Sequence, residues 1–224
     1  MMRFLFICCV YLATVSWTYA YVPEVVVQKD LHDIRAIVDP ELSQLFAGEL
    51  TDFPHTYEIR SEKPFTLYVE IRIPDLAEGK DNVSGIVIKE QRKGRVEEIT
   101  RFLAKDASWT IKKDTLLGDT YREGASFEKE LQGGVYRIEV STPNNLETYM
   151  LRVGKREEMT IGYFELLGRI ADIKKLYGKS AFFVIESPYL YWPLIVFALI
   201  VCTLCVWYAW YRNLIPMVKR HQEK

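Results

Sequence analysis

Apolar and polar residues alternate most clearly between Phe65 and Ile73. Phe65, Leu67, Val69, Ile71 and Ile73 take every second position, with Thr66, Tyr68, Glu70 and Arg72 between them. Successive side chains of a strand point to opposite faces, so this pattern predicts one face in a core and the other in water. Pro64 and Pro74 bracket the run, as strand boundaries often are. Shorter alternations follow at Thr56–Ser61, Gly85–Glu90, Val135–Ser141 and Tyr149–Val153. Val25–Gln28, Ile34–Val38, Val96–Phe102 and Ser126–Leu131 are fainter. Turn residues separate them: Glu78 to Asn82, Arg92 to Gly94, Gly133-Gly134 and Pro143-Asn-Asn145. Residues 39–52 carry no strand pattern and read as a loop. About seven to nine short strands at this spacing predict a mainly β fold over residues 21–157, a jelly-roll-like antiparallel β-sandwich.

The period then changes. Met159, Tyr163, Leu166, Leu167, Ile170, Ile173 and Tyr177 recur at three- and four-residue steps, which predicts an amphipathic helix within a juxtamembrane segment at 158–188. Thr160 is the expected N-cap and Gly178 the residue just past the C-terminus, while Lys174 and Lys175 complement the helix dipole in the last turn. Three roles are open to this helix. It covers one end of the sandwich, it lies on the membrane surface with Phe182 and Phe183 dipping in, or it binds a partner.

Both ends of the chain are apolar without alternation. Residues 1–20 hold a single charge, Arg3, followed by the apolar run Phe4–Trp17 and the small residues Thr18 and Ala20. This is the layout of a secretory signal, with cleavage expected between Ala20 and Tyr21. Near the other end, no residue between Glu186 and Arg212 is charged. The segment 189–211 is long enough to cross a bilayer as a transmembrane helix. Tyr189, Tyr191 and Trp192 stand at one end and Trp207, Tyr208, Trp210 and Tyr211 at the other, the aromatic belts of the two interfaces. Residues 212–224 follow as a short tail with Arg212, Lys219, Arg220 and Lys224 against Glu223. A cleaved signal and a basic tail predict the same orientation: a single-pass type I protein of the cell membrane, with its N-terminal domain outside and its tail in the cytoplasm.

This division changes the meaning of the overall charge. The whole chain carries 29 Lys+Arg and 30 Asp+Glu, a net charge of −1. Without Arg3, the four tail cations and Glu223, residues 21–188 hold a balance of −5. A mildly acidic exported domain is no nucleic-acid binder, which needs an excess of cations.

Cysteine usage narrows the chemistry. Cys8 and Cys9 belong to the signal, and Cys202 and Cys205 to the span. The sandwich therefore has no disulfide, no thiolate nucleophile and no cysteine-ligated metal. Its histidines, His32 and His55, lack metal-ligand spacing. No Walker loop, GxGxxG or GxSxG elbow occurs. Two groups remain as a possible binding surface. Asp39, Glu41, Glu49 and Asp52 are hard oxygen donors for Ca²⁺ if the loop gathers them, and solvated loop acids otherwise. Trp109 and Tyr121 are an exposed platform for sugars, or core aromatics at a sandwich edge.

Gly134-Val-Tyr-Arg-Ile-Glu-Val140, the Pro-Asn-Asn turn and Tyr149-Met-Leu-Arg-Val153 resemble the closing hairpin of bacterial pre-peptidase C-terminal-type β-sandwich domains, which end in G-x-Y-x-I-x-V and Y-x-L-x-V. Tyr57-Glu-Ile59 followed by Phe65–Ile73 resembles their opening strands. The likeness runs over about residues 55–154 and extends to bacterial exported single-pass membrane proteins that join such a sandwich to a C-terminal anchor. Where those domains carry an acidic D-x-D-x-x-L stretch, this chain has Ser84-Gly-Ile-Val-Ile-Lys89, so the resemblance carries over no calcium site.

The function expected from these features is a membrane-anchored extracytoplasmic binding or envelope-assembly module, without catalytic activity or cofactor. Its partners are the lipid bilayer and a protein or envelope glycan. One alternative is a carboxylate- or metal-dependent envelope hydrolase using Asp39, Glu41 or Asp52. Another is a secretory cargo receptor of the p24 type, which the order of signal, sandwich, helix, span and basic tail resembles. That family's sandwich disulfide and near-terminal dilysine are missing here.

Overall fold

The computed structural model describes residues 21–76, 80–91, 94–158 and 160–222, with side chains as far as Arg212. The expected signal, Met159, parts of two expected turns (Glu78, Gly79, Arg92, Lys93) and the tail residues Glu223 and Lys224 lie outside them.

Eleven strands are present among the described residues: β1 (Val22–Val26), β2 (Ile34–Ile37), β3 (Gln44–Glu49), β4 (His55–Ser61), β5 (Phe65–Pro74), β6 (Ser84–Glu90), β7 (Val96–Phe102), β8 (Thr110–Lys113), β9 (Thr120–Leu131), β10 (Gly134–Ser141) and β11 (Thr148–Val153). They form a six-stranded sheet in the order β1-β3-β11-β5-β9-β8 and a five-stranded sheet in the order β2-β4-β10-β6-β7. Two helices follow, α1 (Tyr163–Leu176) and α2 (Pro188–Gln222), joined through a 3₁₀ turn at Ala181–Glu186.

The expected jelly roll is legible in the strand order. With β3 to β7 as strands one to five, β9 as six, and β10 and β11 as seven and eight, the sheets read 1-8-3-6 and 2-7-4-5. Every pairing among these eight is antiparallel. The sheets as wholes are mixed, because β1 pairs in parallel with β3 and β2 with β4. The stretch 22–37 thus lines one edge of each sheet, which shields the backbone groups that β3 and β4 would otherwise expose.

The faces that meet between the sheets form one apolar core, including Phe46, Tyr57, Ile59, Leu67, Val69, Ile71, Tyr136, Ile138, Tyr149 and Leu151. Strand β3 corrects the expectation of a loop over 39–52. Its segment Gln-Leu-Phe-Ala-Gly-Glu shows no alternation because both of its faces are covered. Phe46 joins the core between the sheets, while Leu45 and Ala47 join a second apolar cluster on the outer side.

That second cluster adds a third layer. Leu166, Ile170, Ile173 and Tyr177 pack with Leu45, Ala47 and Met150 on the outer face of the six-stranded sheet, together with Leu116, Leu117, Val184 and Tyr189. Helix α1 therefore covers a sheet face rather than an end of the sandwich. It starts later than expected, with Gly162 rather than Thr160 as the N-cap residue and no side-chain cap bond. It stops as expected, with Gly178 left-handed at φ 69°.

Helix α2 contains a stretch, Pro188–Arg212, long and apolar enough to cross a membrane; its first turn packs on the second cluster through Tyr189 and Leu190, and beyond that it is not buried against the rest of the protein. It continues beyond Arg212 to Gln222 without a break in the helix.

One polar cluster interrupts the inner core. The Tyr149 hydroxyl lies 2.6 Å from the Tyr57 hydroxyl and 2.8 Å from His55 Nδ1, all three side chains being buried. Tyr149→Phe removes the shared oxygen and strands two buried groups. The expected loss is about 1–3 kcal/mol in urea unfolding of the full chain in micelles. Unchanged stability would mean that the other two groups find new partners.

Candidate functional site

The side chains expected to form a binding surface are separated by the fold. Asp39 and Glu41 precede β3, whereas Glu49 and Asp52 lie at and beyond its far end. Six strand residues hold the two pairs about 20 Å apart. Asp39 is turned inward to its own loop, where Oδ1 accepts from the amides of Glu41 and Leu42. Arg156 pairs with the carboxylates of Asp39 and Glu41, and Glu41 Oε1 also accepts from the Thr66 amide at 2.8 Å. Asp52 occupies a turn at φ 67°. Among the described residues, no group of three or more His, Cys, Asp or Glu side chains is placed to hold a metal.

Trp109 and Tyr121 lie on opposite sides of the six-stranded sheet. Trp109 is half-buried against the core between the sheets, donates to the Ala104 carbonyl at 3.2 Å, and packs on Gly124. Tyr121 is buried in the outer cluster under the Arg72 guanidinium, 4.4 Å from its ring centre. The two rings share no exposed platform.

The outer face of β5 holds what the alternation pattern placed in water. Glu70 and Arg72 are only 2% and 3% exposed. Arg72 makes a two-pronged bond to Glu70, Nε to Oε1 at 2.6 Å and Nη2 to Oε2 at 3.0 Å. Its Nη1 lies 3.6 Å from Asp114 Oδ2, and Arg152 Nη1 lies 3.9 Å from Glu70 Oε2. The Tyr68 hydroxyl donates to Glu70 at 2.7 Å. Burial opposes the Glu70 charge, yet Arg72, Tyr68 and Arg152 hold its carboxyl below the usual carboxylate range.

The loop between β8 and β9 carries this charge network towards the apolar helix α2. Asp114 Oδ1 accepts from the amides of Leu116 and Leu117, which folds residues 114–119 back over the sheet. At its end, Asp119 pairs with Lys174 at 2.8 Å and with Lys179 at 2.6 Å. Lys174 is fully buried and also reaches Glu186 at 2.8 Å. Its place in the last turn of α1 was expected to serve the helix dipole; its partners instead lie in the loop and the 3₁₀ turn. The Glu186 carboxyl is held low by the hydrogen bond from Lys174, against a smaller cost of burial.

The same loop grips the backbone just before α2. The buried Ser187 hydroxyl donates to the Leu116 carbonyl at 2.6 Å. Gly118, at φ 79°, lies so close to the carbonyl of Glu186 that a Cβ there would stand 2.2 Å from its oxygen. On the other side, the Tyr163 hydroxyl of α1 donates to the Tyr189 carbonyl at 2.7 Å. Sheet, loop and α1 thus converge on residues 186–189, where the apolar helix begins. Chemically this seam offers no nucleophile beside a base. Its charges neutralise one another, and its geometry fixes the sandwich to the root of α2.

His55 is a buried titratable group away from this seam. Burial lowers its pKa to about 4, against a small opposing pull from Asp33. In the unfolded chain it returns to about 6.5, so the unfolded state binds more protons between these values. Stability is full above pH 6.5 and falls by about 3 kcal/mol as pH drops to about 4. Urea midpoints across this range check it: His55→Gln should flatten this limb, and an unchanged slope would reject His55 as its source.

No family model matches the chain, and no curated protein matches it. Among solved structures, it is similar to the pre-peptidase C-terminal domain of a collagenase from Bacillus anthracis, at 11% identity over 58% of this chain and 100% of that one, with a TM-score of 0.34. It is also similar to CorA, a surface-associated copper-binding protein important in copper acquisition in Methylomicrobium album BG8, at 6% identity over 61% of this chain and 99% of that one, with a TM-score of 0.28.

Proposed function

We propose that this chain is a non-enzymatic, membrane-anchored module that presents a jelly-roll sandwich outside the cytoplasm to a protein partner or an envelope polymer. The amino-terminal signal directs export, α2 anchors the product in the cell membrane, and the basic tail stays in the cytoplasm.

The observation that carries this reading is where the buried charge is placed. Glu70, Arg72, Asp114, Asp119 and Lys174 lie under the β8–β9 loop and α1, and they lead to the first residues of the anchor. A sandwich on a loose tether needs no such arrangement. One bound to the root of its anchor holds a defined orientation to the bilayer, which suits a part in an assembly.

Photo-crosslinking from the sandwich surface in native membranes tests the reading. Recovery of one specific protein or glycan supports it. Failure to recover any, together with hydrolytic turnover by the purified chain, overturns it. Orientation is read separately by labelling a cysteine in the tail, which should react only after the membrane is opened.

A further inference from the structure

The described part of the chain before α2 exposes three aromatic side chains: Phe164, Phe182 and Phe183. All three flank the root of the membrane helix, and none lies on the sandwich itself. Phe164 is 85% and Phe182 89% exposed. Ile185, also exposed, belongs to the same 3₁₀ turn.

Their position is fixed by contacts rather than by sequence proximity alone. Phe164 follows Tyr163, whose hydroxyl donates to the Tyr189 carbonyl in the first turn of α2. The Phe164 ring centre lies 5.5 Å from that of Tyr163, so it stands one ring away from the root. Phe182 and Phe183 sit in the turn that feeds α2, held by the Ser180 cap and by the buried Val184. Lys179 stands over the Phe183 ring at 5.7 Å. Exposed rings beside the start of an apolar helix, with a cation next to one of them, have the composition of a membrane interface.

We infer that Phe164, Phe182, Phe183 and Ile185 form a foot that enters the boundary between lipid headgroups and acyl chains around the start of α2. The occupant is the bilayer that α2 itself crosses. The argument is continuity: beyond the Tyr189 and Leu190 that pack on the protein, the apolar surface of α2 is exposed, and the exposed side chains of Phe182, Phe183 and Ile185 lie in the turn that leads directly into it. The inference rests on α2 being a membrane span, and it goes beyond anchoring. With α1 packed on the sheet and its first turn in the interface, the sandwich is seated on the membrane rather than hung from it.

The test uses the full chain in nanodiscs of phosphatidylcholine with a minority of phosphatidylglycerol. Cys8, Cys9, Cys202 and Cys205 are first replaced by Ala. A nitroxide is then placed by Phe164→Cys, Phe182→Cys, Val38→Cys or Ile200→Cys, one at a time. Collision with oxygen, which partitions into lipid, is compared with collision with a water-soluble nickel chelate. Ile200 on α2 should read as lipid and the exposed Val38 on the sandwich as water. The expected result is an oxygen-to-nickel ratio several-fold higher at 164 and 182 than at 38. Water-like ratios at both, with a lipid-like ratio at 200, overturn the foot and leave the anchor standing. A water-like ratio at 200 overturns the anchor itself. Shielding from both reagents with spin–spin broadening overturns the foot in favour of a second copy of the chain.

Discussion

Replacing Arg72 by Met should destabilise the folded chain by about 3–5 kcal/mol, because it leaves carboxylates buried without their main partner. Glu70 would keep only the Tyr68 hydroxyl and Arg152, whose Nη1 is 3.9 Å away. Asp114 would keep the two loop amides but lose its cation. The cation over the Tyr121 ring is lost as well. Urea unfolding of the full chain in micelles measures the effect. The double change Arg72→Met with Glu70→Leu should recover much of the loss, since a buried pair is often replaceable as a unit although neither member can be removed alone. A loss below about 1 kcal/mol for the single variant would show that water reaches the pair. Acid adds a signature of its own. The Glu70 carboxyl is held low in the folded state, so its contribution is present above its unfolded pKa of about 4.3 and lost as pH falls through the folded value. This limb lies below the one assigned to His55, and only the lower limb should change in Glu70→Gln.

Gly118→Ala is the second change with a large expected effect. The residue is left-handed, and its missing Cβ makes room for the Glu186 carbonyl. The left-handed conformation alone costs a non-glycine residue about 1 kcal/mol. The contact adds displacement of the loop and, with it, loss of the buried Ser187 hydroxyl bond to Leu116, about 1–3 kcal/mol more. Gly178→Ala is the natural control, because Gly178 is also left-handed, at φ 69°, but faces open space. The expected outcome is a loss of about 3 kcal/mol at 118 against about 1 kcal/mol at 178. Hydrogen exchange should rise over residues 181–190 in the first variant and not in the second. Equal losses at the two positions would show that the loop gives way without cost, and the grip on the anchor would be illusory.

How much of this was legible in the chain depends on what each face touches. Strand β10, with one covered face, announces itself through alternation, and β5 does so because the residues on its covered outer face are polar. Strand β3 does not, because Leu45 and Phe46 are both buried, on opposite sides of the sheet. Strand β8 is hidden for the opposite reason: all four of its residues are exposed, so no apolar position marks it. The apolar helix at the end of the chain needs no partner to be recognised, and its start falls within a residue of the boundary read from charge alone.

The charged seam was beyond reach for a different reason. Glu70 and Arg72 read as solvated because each substitutes for water on the other, and the loop and α1 that cover this face come about 40 to 100 residues later. One sign was present nevertheless. Lys174 follows Ile170 by four positions and precedes Tyr177 by three, which puts a lysine on the apolar stripe of α1. A cation on that face implies an acid opposite, and Asp119, with its side chain almost covered, and the more exposed Glu186 are there. The proposed clusters of Asp39 with Asp52 and of Trp109 with Tyr121 fail for a simpler reason. Residues near one another in sequence are carried to opposite ends of a strand or opposite sides of a sheet.

The central positions of β10 and β11 govern when this protein can fold. β11 lies between β3 and β5, and β10 between β4 and β6, so the last two strands made are the innermost neighbours of strands made about 50 to 100 residues earlier. Until they emerge, neither half of either sheet is joined to the other, and four strands stand with open backbone edges. A chain ending before residue 134 is therefore a set of unpaired ribbons rather than a smaller domain. Helix α2 follows β11 by only 35 positions. Closure of the sandwich and emergence of the apolar helix therefore fall close together in synthesis.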